Sequence, residues 1–348
     1  MSLKKKNSVE LTPPIAKKES IRPVKVPQPT TKTDGGRPGK APPLTTRTDS
    51  VNKLKLPPPT TMTDVVREVT LQIARKYLFL DLYKRAICYL IIVGVLSLMV
   101  PYLPLPQDWY WAQRYNFFNQ WGVKLSWFWT STLTGSFIYL TASVYGCGDL
   151  MVVGRHMTRM LVGTAIWYFC TTWFVDIERM TGSCMGFATK SRSLCAANGG
   201  KWVPGFDISG HCFLLIYCCM LICEEARAFR DWDKLRSLLD HPEQDYSAFT
   251  GERPSKAEID ESRATHERMT IPIKILFIVL FFVHLIWEFM ILITVLYYHT
   301  FAHKMMGTGI ALAAWFVTYQ LWYKTPVSPG TPGAGKVNYR DRSLSRTR

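Results

Sequence analysis

The sequence lacks several features that would decide its class at once. Its 9 cysteines include no paired Cys-x-x-Cys segments, which excludes a structural metal framework of that kind. There is no Asn-x-Ser/Thr acceptor, so glycan attachment cannot report topology. No apolar leader follows Met1, where Lys4-Lys5-Lys6 runs on into polar residues. The first apolar run is therefore expected to act as its own signal. Acidic residues are scarce, 26 against 42 Lys and Arg, for a net charge of +16. The excess sits in polar tails beside apolar runs rather than on one compact face. That distribution argues against a nucleic-acid partner and for anionic lipid at a membrane surface. No metal or other cofactor is expected.

What the chain does have is apolar length. Hydrophobic residues make up 48% of its 348 positions, and they are unevenly placed. Residues 1–85 are rich in Pro, Thr and Lys; from Ala86 onward six apolar runs follow, at 86–103, 126–146, 160–176, 208–223, 273–298 and 305–323. About 20 such residues cross the hydrocarbon core as a helix, because every backbone polar group must be satisfied internally there. Runs such as Ile275 to His284 and Glu288 to Tyr298 are apolar nearly all round, unlike a surface helix of a globular bundle. The expected fold is all-α and polytopic, with six transmembrane helices over 86–323. It is flanked by disordered tails at 1–63 and 324–348 and an amphipathic juxtamembrane helix at 64–85. Asp64 would cap that helix, and Val65, Val69, Ile73, Tyr77 and Leu80 would form its apolar stripe.

Charge sets the expected orientation. Lys and Arg number 18 in residues 1–85, 2 in 147–159, 9 in 224–274 and 6 in the carboxyl-terminal tail. The three alternate loops carry only 2, 4 and 1. The positive-inside bias then puts both termini in the cytosol. The amino-terminal tail repeats Thr-Thr-x-Thr-Asp at 30, 45 and 60. This reads as a multivalent motif for cytosolic partners, open to phosphorylation, or more simply as a tandem duplication in tolerated disordered sequence.

Chemistry concentrates at the non-cytosolic ends of two runs. His211 opens the fourth run in Phe206-Asp207-Ile208-Ser209-Gly210-His211, and His299 closes the fifth. The two runs cross in opposite directions, so both histidines lie at one face. Metal-independent phosphoryl transfer needs one imidazole to attack phosphorus and another to protonate the leaving oxygen, and both roles are open near neutral pH. Asp207 or Ser209 would cap the fourth helix, whose first N–H groups beside Gly210 form a phosphate cradle. Lys304, Lys201, Arg192, Lys190 and Arg179 share that face and are placed to hold a diphosphate; Asp176 is placed to orient a histidine. A charged loop residue is more often simply solvated, and a single interfacial histidine more often serves a headgroup. Two histidines at one face, one at a helix start, tip the reading toward chemistry.

Other polar residues carry less. Cys184 and Cys195 fall in the predicted non-cytosolic loop and would pair only if that side is oxidising. Cys212, Cys218, Cys219 and Cys223 read as small packing residues. His284 and Glu288 are one turn apart, and His284 is about 22 Å from His299 at 1.5 Å per residue, so neither is placed as a direct partner of His299. A transporter using them as a relay would call for an inverted repeat, and none is visible.

The segment Asp207-Ile-Ser-Gly-His211-Cys-Phe-Leu-Leu, ending in Glu224-Glu225-Ala, resembles the hallmark of the fat storage-inducing transmembrane family. So does Tyr298-His299-Thr300-Phe301 followed by Ala313-Ala314-Trp315-Phe316-Val317-Thr318-Tyr319; the resemblance covers about residues 80–323. It implies a six-span endoplasmic reticulum protein tied to lipid droplets and neutral lipid, related to the lipid phosphate phosphatase helical core. It further implies a lumenal diphosphatase that splits fatty acyl-CoA, with His211 as leaving-group acid and His299 as nucleophile. The phosphatase pattern has Ser-Arg where this chain has Leu292 and Ile293, and Asp where it has His303. The alternative the resemblance carries is a non-catalytic protein that binds diacylglycerol and triacylglycerol and scaffolds droplets.

Overall fold

The computed structural model describes residues 61–113, 115–240 and 255–337. The repeats beginning at 30 and 45, the rest of the chain before Thr61, the 241–254 stretch and residues past 337 lie outside the described residues.

The amino-terminal helix α1, Met62–Leu78, starts where Thr61 accepts the Asp64 N–H and Asp64 returns a bond to the Thr61 N–H. Thr61 is therefore the cap and Asp64 completes the box, correcting the expectation that Asp64 caps. The helix also stops short of residue 85. Its buried stripe is Leu71, Ala74 and Leu78, whereas Val65, Val69, Ile73 and Leu80 are exposed. The reason is tertiary: α1 lies along α8, Lys256–Tyr297, with Tyr77 donating to Glu288 and Lys274 sitting 3.7 Å from Glu68.

The next helix, α2, Leu82–Met99, is capped by Asp81. A loop with two short helical turns leads to a π-helical turn, Phe118–Val123, which runs into α3, Ser126–Tyr145. Then come α4, Leu150–Thr181, and a small cap made of β1, Ser183–Met185, α5, Arg192–Ala197, and β2, Lys201–Val203. The strands pair antiparallel with Cys184 opposite Trp202, and a disulfide joins Cys184 to Cys195, Cα atoms 5.7 Å apart. The chain continues through α6, Gly210–Ala226, α7, Trp232–Asp240, α8 and α9, Phe301–Trp315.

Helix α6 is the axis of the bundle. Every side chain from Cys212 to Ala226 is buried, because α2, α3, α4, α8 and α9 surround it. Its four cysteines thus serve as small packing residues. Around it, α4 comes close to α3 at a glycine: a Cβ on Gly163 of α4 would sit 2.8 Å from the Trp127 ring of α3. Several α3 hydroxyls return to backbone carbonyls of their own helix, as Thr141 does to Phe137 at 2.8 Å and Ser143 to Tyr139 at 2.8 Å. Trp287 of α8 donates to Thr130 at 3.0 Å and ties α8 to α3.

Each of the six apolar runs is helical. Among the described residues, three helical stretches are long and apolar enough to cross a membrane: Leu82–Tyr102, Leu150–Thr181 and Lys256–Tyr297. The 42 residues of α8 would extend roughly 63 Å, about twice a hydrocarbon core, so its first half stands outside any bilayer the second half crosses. Much of the expected 224–274 loop is therefore helix, with Trp232 of α7 stacked on His266 of α8.

The expected disordered tail from 324 is ordered through 337. Arg155 donates to the Pro326 and Ser328 carbonyls at 2.9 and 2.8 Å, and Arg159 to Gly330 at 3.3 Å. Lys336 bridges Asp149 and Glu258 at 3.0 and 2.8 Å. Those guanidinium groups sit on α4, too far along the chain to be read as partners of a Pro- and Gly-rich segment.

Candidate active site

The site is built where α6 and α9 begin together. The Ser209 N–H donates to the His303 carbonyl at 3.1 Å, and a Cβ on Gly307 would fall 2.4 Å from the Ser209 carbonyl. Only glycine at 307 lets the two helix starts touch. Ser209, not Asp207, caps α6, its hydroxyl accepting the Cys212 N–H at 3.3 Å. That leaves the Asp207 carboxylate available to another partner.

The partner is His299. It occupies the tight turn between α8 and α9 with φ of 59°, a left-handed conformation that costs a non-glycine residue energy and clusters at functional sites. Its Nδ1 lies 3.3 Å from Asp207 Oδ2. A proton held on Nδ1 toward a carboxylate leaves Nε2 of the neutral ring as a lone-pair donor. On the facing wall, His211 Nε2 is 3.0 Å from Asn119 Oδ1, in the π-helical turn before α3. The Tyr298 ring lies 6.4 Å from His211 in stacked orientation, and its hydroxyl donates to the Trp111 and Ala112 carbonyls.

Both histidines line one cleft of about 620 Å³ with Asn119, Lys124 and Asp207. They also line a second, of about 650 Å³, with Phe174, Gly210 and Arg192. The sequence-predicted residues divide accordingly. His211, His299 and Gly210 meet at the clefts, and Ser209 is fully buried as the cap that holds them. Lys304 does not join them: it is 2% exposed and its Nζ donates to the Val295 carbonyl at 2.7 Å, satisfying the carboxyl-terminal end of α8. Lys201 is exposed on β2 and lines neither cleft. Asp176 sits 3.9 Å from Arg179 at the surface of α4, so orienting a histidine falls to Asp207.

Asn119 has no local signal in the sequence, being an amide in an aromatic-rich loop 92 residues from its partner. Arg85, expected as the last residue of the juxtamembrane helix, lies instead within α2. Arg85 is buried and donates to Glu288 at 3.0 Å and to the Tyr77 carbonyl at 2.7 Å. Tyr89 donates to the same carboxylate at 2.8 Å. Glu288 thus belongs to Arg85 and two tyrosines more than to His284, whose Nδ1 stands 3.8 Å away.

This chain is 35% identical over 255 residues to the acyl-coenzyme A diphosphatase FITM2 of Caenorhabditis elegans, covering 73% of this chain and 84% of that protein. The protein of the same name from Drosophila melanogaster is 32% identical over 280 residues, 78% of this chain and 65% of its own length. That from Homo sapiens is 34% identical over 244 residues, 68% and 81%. No solved structure matches. The model of the fat storage-inducing transmembrane protein family matches residues 107–319, a stretch that contains Asn119, Asp207, His211 and His299. The chain belongs to the fat storage-inducing transmembrane protein family.

Proposed function

We propose that this protein is a membrane-embedded acyl-coenzyme A diphosphatase, which hydrolyses fatty acyl-CoA to acyl 4′-phosphopantetheine and adenosine 3′,5′-bisphosphate. The observation that carries the reading is the Asp207–His299 contact in a cleft shared with His211, in a chain whose relatives bear that activity in their names.

In this reading His299 Nε2 attacks one phosphorus of the diphosphate. An N–P bond forms as the bridging P–O bond breaks, and the departing phosphate oxygen takes a proton from His211. Water then attacks the phosphohistidine; its oxygen stays on phosphorus, its proton passes to the general base, and His299 is released. Asp207 stabilises the positive charge that His299 gains during attack. Asn119 fixes the His211 ring.

The wider setting is part of the proposal. All six apolar helices reside in the endoplasmic reticulum membrane, both termini are cytosolic, and the histidine face is lumenal. A disulfide in the cap beside the site suits an oxidising lumen. The Arg85–Glu288 pair within α2 and α8 suits helices whose polar groups must satisfy one another away from water.

Turnover of a long-chain acyl-CoA by the purified protein in lipid nanodiscs, with EDTA present, tests the activity. Release of adenosine 3′,5′-bisphosphate is expected. A folded protein that releases none, yet retains diacylglycerol or triacylglycerol, would replace this reading with neutral-lipid binding.

A further inference from the structure

A third cleft, of about 820 Å³, opens between α4 and the disulfide-pinned cap. It is lined by Arg179, Lys190, Arg192 and Trp202, with one carboxylate, Glu178, on its wall. Arg192 and Glu178 also line the second cleft, the one that holds His211 and His299. The three clefts therefore form one track. The first and second meet at the two histidines, the second and third meet at Arg192, and the first and third share no residue. The reactive centre lies between two unlike arms.

The arms differ in chemistry. On the first-cleft side the wall is aromatic and amide, with Tyr115, Gln120 and Tyr298, and its single lysine, Lys124, already donates to Gln120 at 2.7 Å. On the third-cleft side three cations converge, and an indole stands among them. Of these, Arg179 has a carboxylate, Asp176, only at 3.9 Å and on the exposed side of α4. Lys190 and Arg192 are carried on the cap. The Cys184–Cys195 bond, the β1–β2 pairing and Trp202, packed against Gly182 at the end of α4, hold it in place.

A substrate cleaved at a diphosphate between an acylated arm and a nucleotide needs a binding region on each side of the histidines. Resting on the diphosphatase reading above, we propose that the third cleft is the nucleotide subsite, in which Arg179, Lys190 and Arg192 take the ribose 3′-phosphate of acyl-CoA and Trp202 offers its face to the adenine. A phosphate monoester carries close to two negative charges near neutral pH, which three cations around one cleft would match. Arginine presents a fork that fits phosphate oxygens, lysine a point charge. Indole stacking on a purine adds contact without demanding hydrogen-bond geometry. The uncharged acyl-pantetheine arm then leaves through the first cleft.

The test compares oleoyl-CoA with oleoyl-dephospho-CoA, which differs only in lacking the 3′-phosphate, for the full chain in phosphatidylcholine nanodiscs. Wild type is expected to favour oleoyl-CoA by about tenfold in kcat/KM, the size of one lost charge-assisted hydrogen-bonding site. In the Arg179→Ala/Lys190→Ala double variant that preference should fall toward one. Damage to the fold would lower both substrates together and keep their ratio; a preserved ratio in the variant, or no preference in wild type, overturns the subsite. If the cations instead serve an anionic headgroup, adding phosphatidylserine changes both rates alike while the ratio stays at one, which also overturns it. Should wild type turn over neither substrate, the diphosphatase reading fails and binding decides the subsite separately. Adenosine 3′,5′-bisphosphate should then bind about tenfold more tightly than adenosine 5′-monophosphate, and the double variant should lose that margin. Equal binding of the two nucleotides would overturn it.

Discussion

The two ends of α6 are both crowded with ionisable groups, yet they are built on opposite plans. At the far end Glu225 is 1% exposed; Arg159 donates to both its oxygens at 2.8 Å, and Tyr319 adds a bond at 2.6 Å. Glu224 beside it accepts from Trp315 at 3.0 Å and Gln320 at 2.5 Å, with Arg227 at 3.3 Å. At the start of α6, by contrast, His211 meets Asn119 and the Tyr298 ring, His299 meets Asp207, and both histidines line open clefts. A buried charge is tolerable only when its hydrogen-bonding capacity is used up, so the Glu225 end is saturated and structural. In the proposed reaction the reacting groups must be within reach of substrate, and the clefts lined by the two histidines give that access.

Substitutions at the two ends should therefore fail differently. Glu225→Ala strands the Arg159 guanidinium in the core and is expected to cost about 3–5 kcal/mol of stability, read as a large drop in unfolding temperature with activity lost only as the fold is lost. A variant as heat-resistant as wild type would show that the network is dispensable. Asp207→Asn should act the other way. The amide fits the same space but cannot balance the charge developing on His299, so kcat should fall about 100-fold with unfolding temperature and KM little changed. A rise in KM alone, with kcat intact, would assign Asp207 to substrate holding.

The smallest effect lies at the carboxyl-terminal strap, which shares the saturated end's plan but at the surface. Lys336 holds the Asp149 carboxyl below its ordinary range, mainly through their hydrogen bond, helped by the Met151 N–H. A depressed carboxyl contributes stability that is present above its unfolded pKa of about 3.9 and lost as pH falls through its lower folded value. Asp149→Asn should thus loosen the strap at neutral pH, seen as faster amide exchange in residues 326–337, and should abolish the Asp149 share of its acid sensitivity. An exchange profile identical to wild type would show that Arg155 and Arg159 hold the strap without the Lys336 clasp.

The same contrast explains what could be read in the sequence. Apolar periodicity and length show in a single sequence, so all six apolar runs emerge as helices, α6 among them. Ser209 at a helix start and two histidines at ends of runs are likewise local facts, and both histidines line one cleft. Partners across the bundle are not local. Asp207 rather than Asp176 reaches His299 because Ser209 takes the capping role and frees the carboxylate. Lys304 looks like a cation at the right face, but the turn after α8 draws it inward to the Val295 carbonyl. Asn119 comes from a π-helical turn 92 residues before its partner. Arg85 reads as the end of the juxtamembrane helix, and only the packing of α2 on α8 reveals it as the counter-ion of Glu288.

The central claim is that two histidines, and not the saturated end, perform the chemistry. The most direct measurement is single-turnover hydrolysis of oleoyl-CoA in nanodiscs by wild type, His211→Ala and His299→Ala, each matched for unfolding temperature, with the protein trapped early and its phosphorylation mapped. The account predicts a phosphohistidine at His299 in wild type, none in His299→Ala, and a rate reduced at least about 100-fold in both variants. Wild-type rates in either variant, or a phosphoryl group carried on another residue, would contradict it.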